Sequence, residues 1–300
     1  ATVAHEPIIT RESMIRAINK SIEWKAAYFE HVLDNFKLKK TLISTEGKVV
    51  GQVNALSSWQ ESPAEDTWFG IPCRVTAVST VGKMGVINIE KEAGLAGGIH
   101  HKGILILQGY LRSKYCKNLP LTLEATICSE QSYDEVDGDS GSLAEALALL
   151  SSISGLPLRQ DVAVTGSMNQ YGEVQAIGAV NEKIEGFFEF CKHRGLKGSH
   201  GVIIPRGNVD NLVLKEEVVE AVKLGQFHIF PVASVDEAAQ ILTGVQSGKL
   251  LNDPWLETNP SRYQKGSFND FVTTALMDMA RLEHSFDDHD DEDEEGEEEE

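Results

Sequence analysis

The chain has 300 residues, of which 41% are hydrophobic, and a formal net charge of −19. It is long enough for one large domain or two smaller ones, and its acidity excludes the basic footprint of a nucleic-acid-binding protein. Residues 287–300 contain twelve carboxylates and no Lys or Arg, and the rest of the chain carries a net charge of only −7. We therefore expect a mildly acidic globular chain with a disordered acidic tail over 287–300.

The sequence shows none of the signals of secretion or membrane insertion. Its first residues lack the basic and apolar regions of a signal peptide, and it has no apolar run long enough to span a bilayer. No Cys-x-x-Cys pair indicates zinc, and the widely spaced cysteines are predicted to be buried thiols in a reducing cytoplasm; they are Cys73, Cys116, Cys128 and Cys191. The sequence thus predicts a cytoplasmic protein without a membrane partner.

The first third of the chain changes from helical to extended sequence. Apolar residues recur at helical spacing over residues 11–36, which predicts a long helix within a helical N-terminal segment of residues 1–44. Residues 49–56 are predicted to form a strand. Residues 73–79 and 85–90 are predicted to pair with each other as a hairpin.

A glycine-rich loop is predicted at residues 94–103, before a helix at 104–115. The Gly-x-x-x-x-Gly-Lys-Ser/Thr pattern of a phosphate-binding loop occurs neither here nor elsewhere in the chain. His100 and His101 are a candidate metal pair, but adjacent histidines in a loop without a third ligand nearby more often have a structural role. We therefore expect this chain itself to bind no metal and no cofactor.

From residue 121 onward strands and helices alternate, which predicts a layered α/β (α+β) domain. Asn181 is the predicted N-cap of the second helix of this region. The predicted strands are 121–128, 161–166, 173–177, 201–205 and 227–232. The predicted helices are 143–154, 181–191, 209–224 and 234–242, with one more amphipathic helix at 268–286.

The segment Val136-Asp137-Gly138-Asp139-Ser140-Gly141-Ser142 joins a predicted strand to a predicted helix. A tight, glycine-flanked turn at such a place exposes a serine hydroxyl, and the free N–H groups of the helix's first turn can stabilise an oxyanion beside it. The alternative is that Ser140 only caps the helix. The choice depends on whether the chain supplies a base for this serine.

Histidine bases are poorly placed in this sequence. The Gly-Asp-Ser-Gly run resembles the serine motif of chymotrypsin-like proteases, but those proteins are all-β and need an upstream histidine in a cysteine-flanked segment, which is missing. An α/β-hydrolase elbow would need glycine where Ser142 stands, and a histidine further along the chain. The available candidates lie in no distinctive context; they are His193, His200 and His228.

Lys183 is the better candidate for the base. A lysine acts as a general base only if its pKa falls from about 10.4 toward neutrality. Burial lowers the pKa, and so does the positive end of a helix dipole, which would act here because Asn181 as N-cap places Lys183 at the second helical position. The alternative is a solvent-facing lysine that pairs with Glu182 or Glu185.

Three segments at the correct spacing together resemble the proteolytic domain of Lon proteases, and especially that of Lon-related homologues from proteobacteria. These segments are 136–140, 164–166 and 178–183. The resemblance extends, in the family's order, to residues 51–56, 98–103 and 230–232. It therefore covers roughly residues 45–245 and implies the Lon-type fold for this part of the chain.

The resemblance implies a serine endopeptidase with a Ser-Lys dyad, in which Ser140 is the nucleophile and Lys183 its general base. It also implies that the hydroxyl of Thr165 helps to orient the lysine, and that Asp137 lies near the dyad and tunes or gates it. Gly141 replaces the family's usual alanine, which costs some backbone rigidity and leaves the dyad intact. The family hydrolyses unfolded or damaged protein chains through an acyl-enzyme and without a metal.

Lon proteases couple this domain to an upstream ATPase module and assemble as six-membered rings, so the resemblance implies a homo-hexamer that uses ATP only through such a module. Because the chain has no phosphate loop, we expect either a C-terminal fragment or an ATP-independent peptidase. The alternative function is a non-catalytic Lon-fold module for binding or assembly. The predicted divisions are a helical segment that is a remnant of the ATPase module, the proteolytic domain, a C-terminal extension and the acidic tail: 1–44, 45–245, 246–286 and 287–300.

Overall fold

The structure is a computed structural model that describes residues 9–25, 27–38, 40–60, 68–117, 120–251 and 261–296. Its helices are α1 Arg11–Lys25, α2 Ala27–Lys37, α3 Ile89–Glu92, α4 Gly98–Tyr115, α5 Ser142–Ser154, α6 Val180–Arg194, α7 Glu216–Lys223, α8 Val235–Thr243 and α9 Phe268–Gly296, with a 3₁₀ helix at Arg206–Asn211. Its strands are β1 Lys48–Val49, β2 Gln52–Gln60, β3 Trp68–Thr80, β4 Gly85–Asn88, β5 Glu124–Glu130, β6 Leu158–Arg159, β7 Val162–Val164, β8 Ser167–Met168, β9 Val174–Gln175, β10 His200–Pro205 and β11 Phe227–Val232. In these ranges no helix is long and apolar enough to cross a membrane.

A seven-stranded mixed sheet organises the molecule, with strand order β11-β10-β7-β2-β3-β5-β4. β2 and β3 form a long antiparallel pair, whereas β7, β10 and β11 run parallel to one another. Parallel strands need crossover helices between them, and α6 and α7 supply these connections. The layered α/β architecture expected from the alternating elements is therefore confirmed.

The predicted hairpin of residues 73–79 and 85–90 is wrong. β5 lies between the two segments, antiparallel to β3 and parallel to β4. Because β5 pairs with both neighbours along most of its length, the short connection from β3 to β4 cannot close a hairpin. Sequence adjacency predicted a local pair, and a strand from 40 residues further along the chain takes its place.

α5 forms the centre of the main hydrophobic core. Eleven of its thirteen residues are buried, because it packs against β2 and β3 on one side and against α8 and α9 on the other. A helix that is apolar all round is expected only where every face is covered. α6 covers the other part of the sheet through a second cluster, in which Phe188 packs edge to face on Phe227.

Three predicted helices differ in their boundaries. The helix predicted over 11–36 is described as α1 and α2, and residue 26 between them lies outside the described residues. α4 begins at Gly98 and not at 104, so His100 and His101 lie on a helix and not in a loop. The helix predicted at 209–224 is replaced by the 3₁₀ helix and α7, because the side chains of Asn181 and Glu185 accept hydrogen bonds from the N–H groups of Val213 and Lys215 and hold that segment extended.

The N-cap prediction for Asn181 is wrong. Ala179 occupies the cap position of α6 with φ of 54°, a left-handed conformation that is uncommon for a residue with a side chain. Asn181 lies inside the first turn, and its side chain bonds to Asn211 and Val213 instead. Lys183 is therefore the fourth residue of α6, and not the second.

The last helix begins at Phe268, as predicted, and extends to Gly296, ten residues into the stretch for which a disordered tail is expected. Phe268, Val272 and Leu276 bury one face of its first turns in the main core. Residues 297–300 lie outside the described residues.

Candidate active site

Ser140 lies in the turn that leads into α5, half-buried, with its hydroxyl facing a cleft. Gly138 has φ of 96°, a conformation that favours glycine and that bends the chain ahead of the serine. The N-cap position of α5 is Gly141, without a side-chain cap, so Ser140 does not act as the cap. In the described part of the chain, the N–H groups of Ser140 and Gly141 donate no hydrogen bond, and this leaves two donors beside the hydroxyl.

Lys183 reaches Ser140 from the neighbouring helix α6. Its Nζ lies 2.8 Å from Oγ of Ser140, and only 2% of the residue is exposed. Burial lowers the pKa of Lys183 to about 8, although the nearby Cys73 and Asp139 favour its charged form. The alternative of a solvent-facing lysine paired with Glu182 or Glu185 is wrong, because Lys183 is buried and its Nζ is directed at Ser140. Glu185 pairs with Lys215 instead.

Two glycines permit this close approach. A Cβ atom on Gly70 of β3 would lie 2.0 Å from the carbonyl oxygen of Glu182, and one on Gly186 of α6 would lie 1.9 Å from the carbonyl oxygen of Gly70. No side chain fits in either place, so the backbones of α6 and β3 are in direct contact. This contact places Lys183, which lies one turn before Gly186, beneath the cleft rather than at its rim.

Thr165 completes the polar contacts of the lysine. It follows β7, is fully buried, and its Oγ1 lies 3.4 Å from Nζ of Lys183 and 3.4 Å from the carbonyl oxygen of Ser140. The N–H of Gly166 donates to the same carbonyl at 2.9 Å. The end of β7 therefore fixes both the lysine and the backbone of the serine.

Asp137 lines the same cleft, but its carboxylate binds α4. Oδ1 accepts hydrogen bonds from the N–H groups of Ile99 (3.1 Å) and His100 (3.3 Å). Gly97 at the N-cap position has no side chain to do this, so Asp137 caps α4 from a distant part of the sequence. The pKa of Asp137 is lowered, most of all by the hydrogen bond from the backbone of Gly138. These contacts tie the turn before Ser140 to α4.

Sequence reasoning missed Asp139. Its charge acts directly on Lys183, and its Oδ2 accepts a hydrogen bond of 2.8 Å from Oγ of Ser167. The only signal was its position immediately before the serine, which is also common in ordinary turns. Its partner, 28 residues away, could be found only in the folded chain.

The cleft beside Ser140 has a volume of about 980 Å³. It is lined by Ser140, by Lys183 and by the segment that leads into α6, including the left-handed Ala179. Ser58 and Trp68, on the long β2–β3 pair, also line it. The cleft is open to solvent.

The candidate histidine bases and the candidate metal pair are not at this site. His193 lies in the last turn of α6, His200 bonds to the carbonyl of Thr45, and His228 bonds to that of Gly198. His100 is buried against α5. Within the described ranges, no group of three or more His, Cys, Asp and Glu side chains is arranged to hold a metal ion.

A comparison with known protein families matches residues 131–244 to the Lon protease (S16) C-terminal proteolytic domain. This match includes Ser140, Thr165 and Lys183. It begins just after β5 and ends after α8.

Individual relatives agree with the family match. The chain is 43% identical to a Lon protease homolog of Escherichia coli (strain K12) over 221 residues, which are 73% of this chain and 38% of that protein. It is also 43% identical to a Lon protease homolog of Haemophilus influenzae over 206 residues, 69% of this chain and 34% of that protein. The identity to an archaeal Lon protease of Archaeoglobus fulgidus is 30% over 247 residues, 82% and 36% of the two chains. The chain thus spans little more than a third of the length of these relatives.

Proposed function

We propose that this chain, which belongs to the Lon protease family through its proteolytic domain, is a serine endopeptidase that hydrolyses unfolded polypeptides with a Ser140–Lys183 dyad. The observation that carries the proposal is the 2.8 Å approach of a buried lysine with a lowered pKa to a serine hydroxyl in an open cleft. Buried lysines close to neutrality are suited to accept a proton, whereas surface lysines are not.

The mechanism follows from the charges at the site. With a pKa of about 8, roughly a tenth of the lysines are neutral at pH 7. Neutral Lys183 accepts the proton of Ser140 as Oγ attacks the scissile carbonyl, and the N–H groups of Ser140 and Gly141 stabilise the resulting oxyanion. The ammonium of Lys183 then protonates the leaving amine. Lys183 next activates a water that hydrolyses the acyl-enzyme.

The supporting residues act on the lysine and on the turn. Oγ1 of Thr165 accepts a hydrogen bond from Nζ and keeps it directed at Ser140, while Asp139 stabilises the ammonium that forms after proton transfer. Burial disfavours the ammonium and Asp139 favours it, so the pKa lies between the values that either effect alone would produce. Asp137 holds the turn against α4 and in this way limits the positions open to Ser140.

An extended substrate fits the strand beside the cleft. Among the described strands, residues 57 and 58 of β2 pair only with β3, because β7 ends at Val164 and pairs with β2 only as far as Ala55. Ser58 lies at the cleft itself. A peptide that pairs with this edge would present its carbonyl groups near Ser140, and such pairing depends on backbone atoms rather than on sequence. This favours unfolded chains as substrates.

Coupling to an ATPase module that supplies ATP-driven unfolding, a six-membered ring and a cytoplasmic location remain proposals that rest on the family alone. The relatives are about 2.5 to 3 times as long as the matched segment, which leaves room in them for such a module.

The proposal is tested by hydrolysis of a quenched fluorescent casein, without ATP, from pH 6 to 10. We expect Ser140→Ala and Lys183→Ala to lose activity by at least 10³-fold, while Lys192→Ala, a surface change on the same helix, keeps it. EDTA should have no effect.

Activity that persists in Ser140→Ala would contradict the assignment of the nucleophile. If the wild-type chain is inactive alone and also in a ring with an ATPase module, while it still binds unfolded casein, the alternative function as a non-catalytic binding module is supported instead.

A further inference from the structure

Beneath the turn that carries Ser140 lies a buried pair of ionisable side chains, His100 and Glu145. Each residue is less than 5% exposed, and Nε2 of His100 lies 3.5 Å from Oε1 of Glu145. His100 belongs to the first turn of α4 and Glu145 to the first turn of α5. The pair therefore joins the two helices whose N-terminal ends meet at the candidate active site.

The pair connects the two ends of the turn. On the α4 side, Asp137 accepts from the backbone N–H of His100, and the backbone of Gly138 faces the imidazole ring and favours its protonated form. On the α5 side, Glu145 lies five residues after Ser140 in a helix whose faces are all covered. The contact between His100 and Glu145 therefore links the α4 side of the turn to its α5 side, across residues 137–145.

The surroundings determine how this pair is protonated. Burial and, to a lesser extent, the charge of Glu90 together raise the pKa of Glu145 to about 8. The thiol of Cys73 on β3 also lies near enough to Glu145 to be affected by its charge. Burial lowers the pKa of His100, and the nearby His101 lowers it further. The negative charges of Glu90 and Asp137 act in the other direction and raise it. Glu90 is itself occupied by hydrogen bonds from Asn88 and from the N–H of Ser129.

An unsatisfied atom indicates the missing contact. Nε2 of His100 is fully buried and has no hydrogen-bond partner among the described residues at the present spacing. A buried polar atom of this kind costs free energy unless it is paired, and the carboxyl of Glu145 is the charged or acidic group that the structure places beside it. A small approach of α4 and α5 would complete the bond.

We infer that His100 and Glu145 are positioning residues for the nucleophile: the neutral carboxylic acid of Glu145 donates its proton to Nε2 of His100, and Nδ1 of His100 donates to the backbone of Gly138. Ionisation of Glu145 reverses the arrangement. Nε2 must then carry the proton to pair with the carboxylate, Nδ1 becomes an acceptor, and the bond to Gly138 is lost. The turn is held at neutral pH and released at alkaline pH.

The experiment compares Glu145→Gln, His100→Leu and the wild type at pH 7 and pH 9 by casein hydrolysis and by amide hydrogen exchange of Ser142 and Leu143. The N–H groups of these two residues donate to the carbonyls of Asp139 and Gly166 and so report whether the turn is held. His200→Leu is the matched control, because His200 is equally buried but lies at the amino end of β10, away from the cleft. A glutamine at 145 keeps a neutral donor at every pH.

We expect His100→Leu to speed exchange of the Ser142 and Leu143 amides about tenfold and to lower kcat about tenfold at unchanged KM, with neither effect in His200→Leu. The exchange rate of the wild type divided by that of Glu145→Gln should be higher at pH 9 than at pH 7. Identical exchange of wild type and Glu145→Gln at both pH values, or equal exchange in His100→Leu and His200→Leu, would overturn the inference.

The kinetic readout depends on the proposed function, whereas the exchange readout does not. If Ser140 proves not to be a nucleophile but the exchange changes occur as expected, the positioning role of the pair stands and the proposed function fails. If the peptidase activity depends on Ser140 but the exchange does not change, the proposed function stands and the positioning role of His100 and Glu145 fails.

Discussion

At the scale of the residue, Lys183 shows how function opposes stability. A lysine is normally excluded from the protein interior because its charge is poorly solvated there, yet this one is 2% exposed. It contacts two hydroxyl groups and no carboxylate at hydrogen-bond distance among the described side chains. Surroundings that destabilise the charged ammonium of Lys183 favour its neutral amine, which is the form that the proposed general base requires.

This argument predicts that Lys183→Met stabilises the protein. A pKa lowered from 10.5 to about 8 corresponds to a penalty of about 3 kcal/mol for protonating the folded chain. Because the folded pKa is below the unfolded one, the unfolded chain binds more protons between pH 8 and 10.5, and the wild type gains stability as pH rises through this window. The free energy of unfolding that Lys183→Met gains over the wild type is therefore largest below pH 8 and disappears near pH 10.5.

Chemical denaturation measures this prediction. We expect Lys183→Met to raise the free energy of unfolding by about 3 kcal/mol at pH 7 and by less than half as much at pH 9.5, with loss of hydrolysis. Lys192→Met, on the exposed side of α6, controls for the general effect of methionine. A gain that does not depend on pH would mean that the burial of charge is not its cause.

At the scale of the element, the contact between α6 and β3 places the base. The two glycines at this contact are separated by more than a hundred residues, and a side chain at either position would collide with a carbonyl oxygen. The helix cannot move away without withdrawing Lys183 from Ser140. If Lys183 is the base, as proposed, the spacing between these two backbones determines activity as well as packing.

We predict that Gly186→Ala lowers kcat at least a hundredfold and destabilises the fold by about 1–3 kcal/mol, as overpacking does. Steady-state hydrolysis and thermal unfolding at pH 7 measure the two effects. Gly207→Ala is the matched control, because a Cβ there would meet only ordinary contact with Ala176. A Gly186→Ala variant with the activity of the control would show that α6 tolerates a shift of this size.

At the scale of the whole molecule, the C-terminal extension is part of the core. α9 packs on α5 and α4 and contributes Phe268, Val272 and Leu276 to the same hydrophobic cluster as the strands. Tyr115 of α4 donates to Asn269 of α9 at 2.6 Å, deep in this contact. α5 carries Glu145 and follows Ser140, so α9 supports the active-site turn from behind.

This packing predicts that removing a core side chain of α9 destabilises the protein, whereas removing the acidic end of α9 does not. Phe268→Ala should lower the free energy of unfolding by about 3–5 kcal/mol, the usual cost of removing a buried phenylalanine. A chain that ends at Phe286, without the acidic residues, should unfold at the same denaturant concentration as the full chain and hydrolyse casein equally well. Denaturant titration with both proteins tests this. A large loss on truncation would show that the acidic segment contributes to the fold.

The sequence by itself indicated Ser140 and Lys183 as the candidate nucleophile and base, and most of the order of elements from residue 121 to 242. These depend on local signals: a serine in a glycine-flanked turn before a helix, alternating strand and helix periodicities, and motifs of a few neighbouring residues. It also indicated the start of α9, whose apolar residues recur at helical spacing. Such features are encoded within about ten to fifteen residues. The helix predicted at 209–224 is the exception, because hydrogen bonds to Asn181 and Glu185 hold part of that segment extended.

Only the tertiary structure decided the features that join distant segments. β5 lies between β3 and β4, Asp137 caps α4, Gly70 allows α6 to approach, and Glu145 meets His100. Each of these contacts forms because the chain buries apolar surface elsewhere and brings the partners together, so its energy does not appear in either local sequence. For the same reason, the short pattern around Lys183 named a candidate base, whereas its burial depends on the whole sheet beneath it.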